Sequence, residues 1–223
     1  MTMLRQTWAI VAKDLAAELH TREILSAMFV FALLAMLIFS FALDLQGKTG
    51  VAAASGVLWT TITFAGTLGL SRSMAREQQT GGIAGLLLAS SDRTAIFFGK
   101  ALGNFIMMAA VEIVLLPVGT VLLDANLLRP PLVLVMFLGT VGYATVGTLL
   151  AAIAVNTRAR EVMLPILLLP LLVPLLIGAV QVTSILLQDL TLADANHWLR
   201  ILVVYDLVIT AVAVLTFEYV VEG

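Results

Sequence analysis

The chain contains no cysteine among its 223 residues. This one absence excludes disulfides, CxxC redox chemistry, thiolate-bound metal and a cysteine nucleophile. Histidine is nearly as scarce, with only His20 and His197, so ligation of a metal or haem would fall to these two or to a methionine. Charge is scarce too. Asp, Glu, Lys and Arg make up 12% of the chain, where a soluble domain carries about a quarter. The net charge of −2 carries little information, because in such a composition the placement of Lys and Arg matters and their total does not. Nothing in the sequence points to nucleic acid.

What is abundant is hydrocarbon. Hydrophobic residues make up 61% of the chain, and the mean hydropathy is +1.08. This is the composition of an integral membrane protein. A bilayer core of about 30 Å is crossed by about 20 apolar residues in helical form, since a spanning segment must satisfy its own backbone hydrogen bonds. Six stretches meet the requirement: 24–43, 51–70, 101–123, 131–155, 162–187 and 201–217. Four of them carry no charge, the third carries only Glu112, and the last and shortest carries only Asp206. The fold expected is therefore an all-α integral membrane protein with six transmembrane helices in one permease domain, 1–223, with no linker or internal repeat.

Residues 1–23 are read differently. Leu4, Trp8, Val11, Leu15 and Leu19 recur at intervals of three and four, with Arg5, Lys13, Asp14 and Glu18 elsewhere on the wheel. The periodicity predicts an amphipathic helix lying in the membrane interface. Asp14, Glu18 and Glu23, followed by an apolar run too long for a leader's h-region, give the expectation that no signal peptide is cleaved.

Orientation follows from the basic residues. Arg5, Lys13, Arg22, Arg72, Arg76, Arg93, Lys100, Arg158 and Arg160 fall on one side of six alternating spans, while Lys48, Arg129 and Arg200 fall on the other. This places both termini and the 71–100 loop in the cytoplasm.

Within the spans, Pro165, Pro170 and Pro174 each remove a backbone donor, so the fifth should kink and pack against protein. In the fourth, Ala144, Thr148 and Ala152, with Gly147 and Ala151, put small residues four apart, a pattern that suits close helix approach. Glu112, mid-span, and Asp206, beside Tyr205, need a donor or water in the bilayer interior. Two readings of them stay open: a polar element that guides a substrate, and a hydrogen bond between helices.

Catalytic motifs are missing. The stretch "DLQGKTG", 44–50, contains Gly-Lys-Thr, but Ala42 stands where a P-loop needs its first glycine. No nucleophile elbow or HExxH zinc motif occurs, and the chain is not expected to be an enzyme.

The segment "SRSMAREQQTGGIAGLLLASSDRTAIFFGK", 71–100, interrupts the hydrocarbon with charge and paired glycines. Its opening predicts a short helix on the cytoplasmic face, ended by Gly81 and Gly82. Ile83, Leu86 and Leu87 then form an apolar stripe, and "SSDR" supplies capping residues before the third span. A docking surface and a solvated loop are both compatible with these residues.

Two blocks, "AREQQTGGIAGLLLASSDRTAIFFGK" and "WLRILVVYDLVITAVAVLTFEYVVEG", together with the order of parts, resemble the heme exporter protein B family over nearly the whole chain. The resemblance implies an ABC-2 type permease subunit in cytochrome c maturation, without an ATPase of its own. A separate cytoplasmic ATPase subunit, in two copies, would bind ATP and dock on the loop between the second and third spans. Haem would be the transported ligand or would be held by other membrane subunits, with none bound by this chain itself. Carried onto this sequence, the resemblance assigns coupling to Ala75, Arg76, Glu77, Gly82, Leu86 and Leu87, with a capping turn at Asp92 and Arg93. Many members have a proline after the Leu-Leu run, where this chain has Ala89, Ser90 and Ser91. His20 and His197 lie on opposite sides of the membrane in this topology and cannot ligate one haem together. A permease for a drug, lipid or polysaccharide, and a non-transporting assembly subunit, are the competing readings.

Overall fold

A computed structural model describes residues 2–43, 48–80, 92–154 and 160–222. The described residues form seven helices: α1 (Met3–Thr21), α2 (Glu23–Ala42), α3 (Lys48–Thr80), α4 (Arg93–Leu122), α5 (Pro130–Ala154), α6 (Arg160–Leu187) and α7 (Asn196–Glu222). All but α1 contain a stretch long and apolar enough to cross a bilayer. Because those six alternate in direction, α1 and the end of α7 lie at the same end of the bundle.

Two helices make the core. The spanning stretches of α3 and α5 are buried along most of their length, whereas α2, α4, α6 and α7 turn more of theirs outward. α5 packs against α3, α4, α6 and α7 together, and α2 closes the bundle against α3 and α4. With lipid outside, no hydrophobic drive draws such helices together, so close fit must do it. α5 supplies that fit with glycines. A Cβ on Gly139 would collide with the Trp59 ring of α3, one on Gly147 with Leu70 of α3, and one on Gly142 with the Asp206 carboxylate of α7. Ala144 and Thr148 are buried and Ala152 only partly so, with Gly147 and Ala151 buried beside them, but the small residues of α5 serve several neighbours and not one face.

Two elements differ from the sequence expectation. The charged segment after Leu70 is no separate helix: α3 continues unbroken to Thr80. Between Leu70 and Thr80 there is neither glycine nor proline, and Met, Ala, Arg, Glu and Gln all favour helix, so nothing stops the span at the membrane edge. α4 begins at Arg93, well ahead of the apolar stretch, with Asp92 as its N-cap accepting from the Thr94 N–H at 2.9 Å. α6 is continuous through its three prolines. Leu164, Leu168, Leu172, Leu175, Ala179 and Val182 form its buried stripe. Pro170 and Pro174 sit on the outward face, and Pro165 is partly buried.

α1 lies across α4, with Ile10 seated over the bare backbone of Gly99. The predicted apolar face splits in two. Val11 is buried and Leu15 packs on the core, while Leu4, Trp8 and Leu19 stay exposed, Trp8 at 64%. This suits a helix with protein on one side and the lipid interface on the other.

Candidate functional site

The sequence singled out two groups of residues, and the fold deals with them separately. At the end of the bundle that carries α1, the continuation of α3 projects Arg76 and Glu77 toward the chain's own helices. Arg76 donates to Glu18 Oε2 at 3.3 Å, to Thr21 Oγ1 at 3.2 Å and to the carbonyl of Ala17 at 3.1 Å. Glu18, only 1% exposed, uses its other oxygen to accept from the N–H groups of Ile24 and Leu25, both at 2.8 Å. Those are the free donors of the first turn of α2, so this carboxylate caps a helix from the preceding one. The corner between α1 and α2 is turned by Arg22 with φ of 55°, the left-handed conformation that ends α1.

Beside this corner, Lys100 of α4 is held between two carboxylates. Its Nζ donates to Asp14 Oδ2 at 2.7 Å and to Glu77 Oε1, while Asp14 Oδ1 also pairs with Lys13 at 3.0 Å. Side chains of Lys100 and Glu77 are each 13% exposed. The result is one ionic cluster joining α1, α2, α3 and α4. Farther along α1, Gln6 accepts from the backbone N–H of Asp92 at 3.3 Å. Ala75 is half-buried on α3, and Arg93 is the partly buried first residue of α4. Gly82, Leu86 and Leu87 fall outside the described residues.

Asp14, Glu18 and Lys100 are the members that sequence reasoning missed. Asp14 and Glu18 are four apart on one helix face, and a carboxylate just before a second helix is a capping signal. The sequence reading places both only off the apolar face of α1, because their partners Arg76 and Lys100 come from helices far along the chain.

In the membrane interior the second group does not assemble. Glu112 of α4 accepts from Thr140 of α5 at 2.6 Å and borders a cavity of about 10 Å³, walled by Met28, Ile62, Ala65, Met108 and Leu115. Asp206 of α7 lies two positions along α5 at Gly142, where side chains turn to the other side of the helix. The two carboxylates therefore face different sides of α5. Glu112 has found the inter-helix donor that its structural reading requires. Asp206 has not: both its oxygens are buried without a hydrogen-bond partner among the described residues. Tyr205 next to it donates to the carbonyl of Leu171 at 2.7 Å, tying α7 to the proline-bearing stretch of α6.

A polar seam that the sequence did not announce lines α3 and α5. The Tyr143 hydroxyl donates to the Thr63 carbonyl at 2.9 Å and lies 2.7 Å from Thr67 Oγ1, and Trp59 Nε1 donates to Thr183 Oγ1 of α6 at 2.9 Å. Each of these buried groups is satisfied by a neighbouring helix, so the seam reads as packing. At the far end of the bundle, Arg129 donates to the Leu186 carbonyl, closing the end of α6. Asp194 there accepts from the N–H and hydroxyl of Thr191, both at 2.8 Å, which holds its carboxyl below the usual range.

Six apolar crossing helices, an interfacial helix clamped by ion pairs at one end and a few polar groups within the spans define a multi-pass helical membrane protein. The chain belongs to the CcmB protein family, which it matches over residues 5–222. It is similar to heme exporter protein B of Rhodobacter capsulatus, with 30% identity over 172 residues that cover 76% of this chain and 78% of the relative. It is also similar to heme exporter protein B of Haemophilus influenzae, with 26% identity over 175 residues that cover 78% and 79%.

Proposed function

We propose that the chain is the permease subunit of an ABC transporter complex for haem export or delivery in c-type cytochrome biogenesis. The observation that carries this reading is the family match across residues 5–222, in a chain that also has the six apolar helices such a permease needs. ATP is bound and hydrolysed by a separate cytoplasmic ATPase subunit, present in two copies, near the 71–100 segment. Other membrane subunits hold haem, since this chain offers no cysteine and only two histidines. His197, beside Trp198 with ring centroids 5.4 Å apart, lies at the end of the bundle opposite His20. The complex sits in the bacterial inner membrane with both termini of this chain in the cytoplasm.

Deletion of the gene tests the assignment. Covalent haem staining of c-type cytochromes should disappear while b-type cytochromes stay at normal levels. Surviving c-type staining, joined by drug sensitivity or loss of a surface glycan, would transfer the chain to a permease for another substrate.

A further inference from the structure

The charges at the end of α3 were expected to meet a partner. The geometry points elsewhere: we infer that Lys100 is a positioning residue which, with Arg76, transmits movement of α3 to α1, α2 and α4. This rests on the ATPase-coupled function proposed above and assigns its mechanical link.

Three observations converge on it. First, the charges find partners within the chain. Among the described residues Lys13, Arg76 and Lys100 pair with Asp14, Glu18 and Glu77, so these charges meet inside the chain. Second, the pairs made by Lys100 and Arg76 cross between helices. Lys100 joins α4 to both α1 and α3, while Arg76 joins α3 to the last turn of α1. Glu18 then passes the connection to the first turn of α2 through two backbone donors. Third, α1 is independently fixed to α4 by the Ile10 and Gly99 contact and by the hydrogen bond from Asp92 to Gln6. A displacement of α3 near Thr80 would therefore carry α1 and the starts of α2 and α4 with it. Two of those three are membrane-crossing helices.

Ion pairs suit this role for a physical reason. A half-buried ionic cluster adds little net stability over an apolar replacement, but it fixes which groups face each other.

The test uses the full chain purified with its ATPase, together with a strain carrying the same variants. Lys100→Met keeps the length of the side chain and removes the charge. The expected result is wild-type membrane level, wild-type recovery of the ATPase and continued ATP turnover, with formation of c-type cytochromes reduced roughly tenfold. Lys100→Arg should restore function. So should the exchange of Lys100→Glu with Glu77→Lys, because the new Lys can still lie between Asp14 and the new Glu. A purely structural role would lower the amount of protein and complex instead. Asp14→Asn, a milder change, covers the case in which Lys100→Met does not accumulate, and the same separation of recovery from cytochrome formation is expected of it.

Two outcomes overturn the inference. Loss of the ATPase from Lys100→Met complexes would make these charges part of the docking surface, and unchanged cytochrome formation in both variants would make the cluster a fastening only. Failure of the unmodified chain to recover any ATPase would overturn the functional reading itself, and it is read before any variant is made.

Discussion

Asp206 and Glu112 show how differently one side-chain chemistry can be treated inside a membrane. Glu112 meets the Thr140 hydroxyl at 2.6 Å, a bond between α4 and α5 that can be kept for stability alone. Asp206 is 8% exposed and packs on Gly142 with no donor at either oxygen among the described residues. Leaving a buried polar group unsatisfied costs about 1–3 kcal/mol, and substitution by an apolar group of the same shape removes that penalty. Leucine shares the γ-branch of aspartate. Asp206→Leu is therefore expected to raise stability by about 1–3 kcal/mol, seen as a higher unfolding midpoint in detergent, and at the same time to lower the yield of c-type cytochromes. A lower midpoint would show that the carboxylate is a fastening after all. The sequence made both carboxylates conspicuous by setting them in hydrocarbon, but it did not distinguish them, because the distinction lies in Thr140 and Gly142 on another helix.

Elements were legible where the cause is local. The six apolar stretches, the Asp92 cap and the period of α1 are all written within a few residues of the structure they produce. The helix that carries the second span outruns it for an instructive reason: hydrocarbon ends at Leu70, but helix propensity does not, and the helix continues to Thr80. The inward turn of Asp14 and Glu18 could not be read from α1 alone, since it depends on Arg76 and Lys100 arriving from helices far along the chain. The α1 and α2 corner gives a direct check. Glu18→Gln weakens two capping bonds and the pair with Arg76, and a bond to a charged group contributes about 1.5–3 kcal/mol. In membrane vesicles with the cytoplasmic face outward, trypsin should then cut after Arg22 several-fold faster than in the unmodified chain, because the corner opens more often. Equal cleavage rates would mean that packing of Ile10 and Val11 holds α1 without the carboxylate.

For the molecule as a whole, the six crossing helices place the ionic cluster at one end and the loops around Asn126 and Thr191 at the other. Which end faces the cytoplasm is decided by charge. Lys and Arg are retained on the cytoplasmic side of short loops, and eight of the eleven basic residues among those described belong to the end that carries α1, including Arg76 and Lys100 of the cluster. The absence of cysteine makes the expectation easy to measure, since any introduced thiol is the only one present. Single cysteines at Asn126 and Thr191 should react with a membrane-impermeant maleimide added to intact spheroplasts, and one at Gln79 should react only after the membrane is opened. Gln79 is exposed on the continuation of α3, so lack of reaction there would report the membrane barrier and not burial in the protein. Labelling of position 79 from outside, with positions 126 and 191 protected, would invert the molecule. The ionic cluster would then stand on the side where no ATP is available, and the coupling function proposed for this end of the bundle would be lost with the orientation.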